Sequence, residues 1–211
     1  MDLYSLREEY MLKKLDITDV SYSPVLQFQS WFNEATNVKI FEPYAAILAT
    51  TNAEGHPSAR VVLIKAFSEK GFDFFTNYES RKGKELHENP FGAIVFYWPD
   101  LERQIRIEGE VAKLSTVESD NYFESRPIGS RLGAWASPQS QIITNRIWLE
   151  EKHNEIRENF KHGIVPRPIN WGGYRLAPNM FEFWQGRQNR LHDRISYFLE
   201  SNNWNIKRLA P

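Results

Sequence analysis

The feature that most constrains the fold is a series of short β-rich runs, separated by turn signals, that begins at Ala45. Gly, Asn and Pro punctuate the series, as they do in meanders of antiparallel strands. From Arg103 to Leu114, apolar residues alternate with charged ones, which predicts a strand with one buried and one solvated face. The predicted strands are residues 45–50, 58–67, 72–77, 91–98, 103–114, 171–177, 181–184, 192–199 and 204–208.

Helix signals occupy the gaps between these runs. Pro24 opens an amphipathic stretch, residues 80–89 can form a short charged helix, and Ser115 with Glu118 resembles a capping box. That third helix should run to about residue 125, where Pro127 ends it, and a fourth helix is predicted over residues 142–160. Without regular βαβ alternation, the pattern predicts an α+β fold built on an antiparallel barrel with peripheral helices. Residues 1–20 are predicted to form an N-terminal arm or lid segment, and residues 21–211 a single domain.

The composition excludes several kinds of chemistry. With no cysteine, the chain cannot use disulfides, thiolate nucleophiles or cysteine-ligated clusters. A formal net charge of −1 gives no global field for a polyanion, so nucleic acid is not an expected partner and an anion site must be a local cluster of cations. The sequence shows neither a targeting pattern nor an apolar run long enough to cross a membrane. These features predict a soluble, cytoplasmic protein.

The segment from Trp184 to Arg194 is the densest in groups that donate hydrogen bonds or titrate near neutral pH. If its second half is extended, Arg190, His192 and Arg194 share one face, while Leu191 and Asp193 share the other. A solvated edge strand would explain the charges equally well. The aromatic residues on both sides of the segment favour a strand that enters the core, with a cationic face that binds an anionic or electron-rich partner.

Two further segments are candidate anion sites. The helix at residues 80–89 begins with Arg81, Lys82 and Lys84, although the positive end of a helix dipole favours acidic residues. Free N–H groups beside such cations can bind a phosphate, whereas a frayed, exposed helix start is the alternative. Arg60 and Lys65 lie in an apolar run, five residues apart. They should therefore point to opposite faces of a regular strand, unless a bulge intervenes.

A third candidate group combines Tyr122 and Arg126, four residues apart on one helix face, with Ser130 beyond the following Arg-Pro step. Tyr, Arg and Ser supply the donors that a phosphate monoester accepts, although such triplets also occur by chance. The histidines show no spacing typical of a metal site, so no metal is predicted. The chain also lacks the Gly-rich fingerprints of dinucleotide and nucleoside-triphosphate sites and the Gly-x-Ser-x-Gly elbow of hydrolases.

Taken together, ten short motifs resemble the pyridoxine (pyridoxamine) 5′-phosphate oxidase family, from about residue 5 to the last residue. The motifs are Arg60-Val-Val-Leu-Ile-Lys65, Phe75-Thr-Asn, Ser80-Arg-Lys82, Leu101-Glu-Arg-Gln104, Tyr122-Phe-Glu-Ser-Arg-Pro127, Gly133-Ala-Trp-Ala-Ser-Pro-Gln-Ser140, Trp171-Gly-Gly, Phe183-Trp-Gln-Gly186, Arg190-Leu-His-Asp-Arg194 and Arg208-Leu-Ala-Pro. The resemblance implies an FMN-binding split β-barrel that forms a homodimer with sites at the subunit interface. It also implies that pyridoxine or pyridoxamine 5′-phosphate is oxidised to pyridoxal 5′-phosphate by O₂.

The resemblance also implies roles for individual residues. The implied FMN contacts are Arg60, Val61, Val62, Leu63, Ile64, Lys65, Phe75, Thr76, Arg81, Lys82, Gln104, Gln139, Ser140, Trp184 and Arg194. The implied substrate contacts are Arg7, Tyr10, Lys65, Tyr122, Arg126, Ser130, Arg190, Leu191 and His192. Arg190 and His192 would hold the substrate ring, and one of them would assist removal of a proton at C4′. Arg7 and Tyr10 belong to a segment that would close over the substrate, with Glu8 where the family has a second basic residue.

Three other functions fit parts of the pattern. A split-barrel flavoprotein with another substrate would not need both the group of Tyr122, Arg126 and Ser130 and the pair of Arg190 and His192. A single-stranded nucleic-acid binder would use exposed aromatic residues and arginines on a barrel, but the net charge of −1 disfavours it. A flavin-binding protein without turnover is distinguished only by an activity assay.

Overall fold

A computed structural model describes residues 9–211, and within this range nine strands form one curled antiparallel sheet with five helices around it. The strands are β1 (Ala45–Thr51), β2 (Pro57–Leu63), β3 (Ala66–Ser68), β4 (Gly71–Asn77), β5 (Phe91–Trp98), β6 (Arg103–Lys113), β7 (Trp171–Gln185), β8 (Asp193–Glu200) and β9 (Asn203–Leu209). The helices are α1 (Pro24–Asn37), α2 (Arg81–Glu88), α3 (Thr116–Ser125), α4 (Ile128–Ala136) and α5 (Arg146–Asn159).

The sheet curls because β7 is shared between two sets of neighbours. Along one edge it pairs with β6 over nearly its whole length. Along its other edge the first half pairs with β4 and the second half with β8, so the strand order β2-β1-β5-β6-β7-β4-β3 acquires a branch of β8 and β9. A register shift at Glu108/Gly109 lets β7 change direction between the two halves. The α+β class and the antiparallel half-barrel agree with the expectation from the sequence.

The core lies inside the curl and is rich in aromatic residues. Ile105 and Ile107 of β6 are fully buried, as the period-two pattern predicts. Helix α1 covers the open side with Phe28 and Trp31, and the Phe28 ring lies 4.9 Å from that of Phe72 in an edge-to-face contact. Each such side chain contributes about 1.5–3 kcal/mol by burial, so the packing of α1 on the sheet stabilises the fold.

Three strand predictions were wrong in detail. The run predicted over residues 58–67 breaks after Leu63, where the Ile64 amide bonds to Tyr44 and the Lys65 amide to Asp73. The two runs predicted over residues 171–184 form one strand, because the register shift accommodates Pro178 opposite Gly109. The strand predicted from residue 192 begins at Asp193.

The helix predictions for α1, α2 and α3 are confirmed, and Ser115 and Glu118 form the predicted capping box. The fourth helix is shorter than predicted, since it starts at Arg146 after an Asn145 cap. Helix α4 was not predicted: Pro127 ends α3, but it also serves as the residue from which α4 begins. No helix in residues 9–211 is long and apolar enough to cross a membrane. The division into an arm and one domain stays a prediction.

Candidate active site

The start of α2 brings several predicted cofactor residues together. The Lys82 side chain is buried, and its Nζ atom lies 3.2 Å from Thr76 Oγ1. The Thr76 hydroxyl in turn donates to Gln139 Oε1 at 2.8 Å, and the amide of Asn77 donates to the same oxygen at 3.2 Å. Thr76 and Gln139, which are 63 positions apart along the chain, thus belong to one polar group with Asn77 and Lys82. Ser140 lies next to this group in a left-handed conformation.

The electrostatics of this group suit an anion. Burial and the nearby Arg60 charge lower the pKa of Lys82. Among the described residues no carboxylate lies within ion-pair distance of the Lys82 ammonium. Helix α2 also has no acidic residue in its first turn, and the Ser80 hydroxyl already caps the Gly83 amide. A buried cation beside the positive end of a helix fits a phosphate group.

Glu85, which the sequence analysis missed, organises the cations around this group. Its buried carboxylate accepts hydrogen bonds from Thr50 at 2.5 Å and Ser58 at 2.6 Å, and it pairs with Arg60 at 3.1 Å and Arg81 at 2.8 Å. Burial alone would raise the pKa of Glu85, but these hydrogen bonds and the Arg60 charge lower it to about 2. The i, i+4 spacing from Arg81 was the one available signal. We name Arg60, Arg81, Lys82 and Glu85 the α2 cluster.

The rest of the segment Arg60–Lys65 is divided between core and surface. Val62 and Ile64 are buried, whereas Val61 is exposed. The Lys65 ammonium lies 5.1 Å from the centre of the Tyr44 ring. Because the strand ends at Leu63, the expectation that Arg60 and Lys65 occupy opposite faces of one regular strand does not hold.

A second group, which we name the aromatic–arginine cluster, consists of Phe75, Tyr122, Arg126 and Trp171. The rings of Phe75 and Tyr122 stack at 3.8 Å, and the Arg126 guanidinium lies 4.5 Å from the Trp171 ring. Burial lowers the pKa of Arg126, and its buried Nη1 atom has no hydrogen-bond partner among the described residues. Such an unpaired donor is costly unless an acceptor fills it. Ser130 lies one turn further on, in the first turn of α4.

A third group surrounds His192. Its ring lies 4.6 Å from that of Trp184, and the ring of Tyr10 makes edge contacts with both at 5.7 Å. Burial and the Arg190 charge lower the pKa of His192, so the imidazole is mostly neutral at pH 7. The backbone N–H of Arg187 donates to His192 Nδ1 at 3.1 Å, which leaves the proton of the neutral ring on Nε2.

The expectation that Arg190, His192 and Arg194 share one strand face was wrong for Arg190. Arg190 lies in a turn with a left-handed backbone (φ 59°), ahead of β8, and both Arg190 and Leu191 are exposed. Asp193 accepts hydrogen bonds from the Leu15 amide at 3.1 Å and from Arg208 at 2.9 Å. These contacts support the structural role that its position suggested.

Three predicted cofactor residues form a row across neighbouring strands. Gln104 on β6 is opposite Trp184 on β7, which is opposite Arg194 on β8. Arg194 forms two hydrogen bonds with the buried carboxylate of Glu182, at 2.9 and 3.0 Å. No ring contact, hydrogen bond or ion pair among the described residues joins this row to the α2 cluster. The residues predicted for one site thus occupy separate parts of the protomer. Arg7 lies outside the described residues.

Comparisons with known proteins match the chain in two successive parts. Residues 32–160 match the family described as "Pyridoxamine 5'-phosphate oxidase". Residues 171–211, which contain the row's Trp184 and Arg194, match "Pyridoxine 5'-phosphate oxidase C-terminal dimerisation region". The chain is 54% identical over 214 residues to the pyridoxine/pyridoxamine 5′-phosphate oxidase of Crocosphaera subtropica, with both chains fully covered. It is 53% identical to that of Aliarcobacter butzleri over 212 residues, again with full coverage.

Solved structures give the same fold. PhzG from Burkholderia lata, in complex with tetrahydrophenazine-1-carboxylic acid, superposes with a TM-score of 0.87 and 31% identity, over 92% of this chain and 95% of that one. A pyridoxamine 5′-phosphate oxidase-related, FMN-binding protein from Nostoc punctiforme has a TM-score of 0.71 at 18% identity, over 91% of this chain and all of that one, which supports the split-barrel fold alone. From its sequence matches over nearly the whole length, the chain belongs to the pyridoxine/pyridoxamine 5′-phosphate oxidase family.

Proposed function

We propose that this protein is an FMN-dependent oxidase that converts pyridoxine 5′-phosphate and pyridoxamine 5′-phosphate to pyridoxal 5′-phosphate, with O₂ as the electron acceptor. The main support is a pair of separate cationic groups: the α2 cluster, and the Arg126 donor that has no partner among residues 9–211. Two separate groups of cations on a chain with a net charge of −1 fit the binding of two anionic groups. A phosphorylated substrate, as in the names of the relatives, and the phosphate of FMN would supply them. A cytoplasmic location is part of the same proposal.

The α2 cluster would hold the FMN phosphate. Lys82 and Arg60 supply charge, and Thr76 supplies a hydroxyl that already bonds to Gln139. The row of Gln104, Trp184 and Arg194 would line the flavin ring. FMN, once bound, supplies the two-electron oxidation that no side chain of the protein can perform. The remaining implied cofactor contacts are Val61, Val62, Leu63, Ile64, Lys65, Phe75, Arg81 and Ser140.

The aromatic–arginine cluster would hold the substrate phosphate. Arg126 Nη1 has no hydrogen-bond partner among residues 9–211. Tyr122 lies on α3, which Arg126 caps, and Ser130 lies in the first turn of α4. Lys65 would complete this contact, and Arg7, Tyr10 and Leu191 would enclose the substrate.

Arg190 and His192 would orient the substrate ring. Because His192 Nδ1 accepts from the Arg187 backbone, the neutral imidazole presents its Nε2–H as a donor to the oxygen or nitrogen on C4′. For His192 to accept a proton at Nε2, that nitrogen would first have to lose its own. This tautomer makes His192 primarily a group that orients the substrate. Removal of the proton at C4′ would then be assisted by a proton acceptor other than His192.

A complete site would require two copies of the chain. Trp184, Arg190, His192 and Arg194 all lie within the segment that matches the dimerisation region. The α2 cluster lies outside it, and no described contact joins the two groups. In a homodimer, the C-terminal segment of one protomer would meet the α2 cluster of its partner.

The decisive experiment is a spectrum followed by an anaerobic titration. The purified protein should show the visible absorbance band of oxidised flavin, and pyridoxine 5′-phosphate should bleach that band in the absence of O₂. Readmitting O₂ should restore the band, which tests the acceptor.

Arg190→Met should lower kcat/KM by about 100-fold or more while FMN stays bound, if Arg190 acts mainly in the transition state. Persistent colour on substrate addition would argue for a flavin binder without this turnover.

The same titration separates the rival functions. A split-barrel flavoprotein with another substrate would bleach with that substrate and not with pyridoxine 5′-phosphate. A colourless protein that binds a single-stranded oligonucleotide in a salt-dependent manner would support the nucleic-acid alternative.

A further inference from the structure

The N-terminal segment is attached to the barrel at a turn that the sequence analysis left without a role. Between β5 and β6, Glu102 adopts a left-handed backbone (φ 53°). Its carboxylate accepts the amide of Met11 on one oxygen, at 3.2 Å, and the amide of Leu12 on the other, at 3.0 Å. One side chain thus binds two consecutive amides of a segment about 90 residues away.

The backbone of Glu102 is itself fixed to the strand that carries Trp184. Its carbonyl accepts the Gly186 amide at 2.7 Å and the side-chain amide of Gln185 at 3.2 Å. From this fixed backbone, the Glu102 carboxylate reaches the amides of Met11 and Leu12. Glu102 therefore links residues 11–12 to the end of β7.

This link helps to hold Tyr10 in place. The Tyr10 ring covers Gly186 so closely that a Cβ atom there would be 2.7 Å from the ring. The ring also contacts Trp184 and His192, and its hydroxyl lies near Tyr97, whose pKa is raised by burial and by Tyr10. Without the two amide bonds just after it, Tyr10 would keep its ring contacts and the contact between Met11 Sδ and the Gln188 side-chain amide, but residues 11–12 would lose their backbone attachment. The next polar contact along the chain is the ion pair between Lys13 and Glu34.

We propose that Glu102 is a positioning residue, whose carboxylate latches residues 11–12 and thereby keeps Tyr10 against Trp184 and His192. The inference rests on the proposed function, because it assigns Tyr10 and His192 to the substrate pocket. Glu102 touches neither reactant in this arrangement and acts only through Tyr10.

The test compares Glu102→Asn with Asp100→Asn. Asn tolerates the left-handed conformation, so the turn is kept. Its side chain is one methylene shorter than that of Glu and carries no charge. Asp100 lies in the same turn and makes no hydrogen bond to residues 9–16, which makes it a matched control. KM for pyridoxine 5′-phosphate should rise about tenfold in Glu102→Asn, as loss of hydrogen bonds to a charged group predicts, and kcat should change less. Asp100→Asn should match the wild type in both constants.

A double-mutant cycle with Tyr10→Ala distinguishes latching from a general role in folding. If Glu102 acts through Tyr10, Glu102→Asn should add little to the KM of the Tyr10→Ala variant. Additive effects of the two substitutions would overturn the proposal. FMN content, read from the flavin absorbance, should be unchanged in all variants.

A readout without turnover keeps the latch separate from the proposed function. Trypsin should cleave after Lys14 several-fold faster in Glu102→Asn than in the wild type or in Asp100→Asn, as measured by mass spectrometry. Equal cleavage rates would refute the latch even if the enzyme turns over as proposed. A wild type that cleaves slowly but oxidises no pyridoxine 5′-phosphate would refute the function and leave the latch supported.

Discussion

Replacing Glu85 by Gln tests the electrostatic basis of the α2 cluster. The carboxylate is 6% exposed and is held by two hydroxyls and two arginines. The pKa of Glu85 falls from its ordinary value of 4.5 to about 2. That difference corresponds to about 3 kcal/mol of preference for the ionised form in the folded state. Gln cannot carry the charge and turns an amide N–H toward the same donors, so we expect a loss of about 2–3 kcal/mol at pH 7.

The pH dependence follows from the sign of the shift. A lowered pKa in the folded protein gives stability that is complete above pH 4.5 and is lost as the pH falls toward 2. The difference between wild type and Glu85→Gln should therefore shrink by about 1.4 kcal/mol between pH 7 and pH 3.5. Urea unfolding, followed by fluorescence, measures the free energy of unfolding of both proteins at pH 7 and at pH 3.5. The protein concentration is kept fixed, because the stability of an oligomer depends on it.

The matched control is Glu124→Gln, on α3, where the carboxylate is exposed and forms no ion pair within residues 9–211. It should leave the free energy of unfolding within about 0.5 kcal/mol of the wild type at both pH values. A Glu85→Gln variant that is as stable as Glu124→Gln at pH 7 would refute the reasoning. A difference that does not change with pH would show that packing, rather than charge, accounts for the loss.

Three further outcomes follow from the site. Arg190→Met should raise the pKa of His192 toward, but not to, its ordinary value of 6.5, because burial is the larger cause of its lowering; an NMR titration of the imidazole measures this. Lys82→Met should weaken FMN binding by about tenfold or more, as the loss of a charge-assisted hydrogen bond predicts, whereas exposed Lys84→Met should not, which flavin fluorescence quenching can show. Gly71→Ala should lower stability by at least about 2 kcal/mol in a urea titration, since φ is 131° and a methyl group would meet the backbone of β7.

Local patterns predicted the regular parts of the fold well. The period-two alternation of β6 and the apolar stripe of α1 require no knowledge of the partner elements, and both are confirmed. The prediction failed where a tertiary contact overrides a local signal. Pro178 marks a turn in isolation, but opposite Gly109 it fits within one strand of 15 residues.

In the candidate site, too, local signals predicted some residues, and tertiary contacts that the sequence does not reveal account for the others. Residue types and spacing indicated cations at the start of α2 and donors at Tyr122 and Arg126. They could not indicate Glu182, whose partner Arg106 lies on another strand, 76 residues away. For Glu85 they offered only the i, i+4 spacing from Arg81, because its other partners lie on β1 and β2. The face assigned to Arg190 was wrong for a local reason, since a left-handed turn at residues 189–190 interrupts the alternation.

Asp193 joins segments that are far apart along the chain, and this has a consequence for local opening. Its carboxylate holds the Leu15 amide and Arg208, while Arg208 also donates to the Leu15 carbonyl at 3.1 Å. The segment around residue 15 and strand β9 cannot fray independently while this junction is intact. They should therefore form one cooperative unit in hydrogen exchange, with amides of both regions exchanging at a common rate that is set by a single opening event.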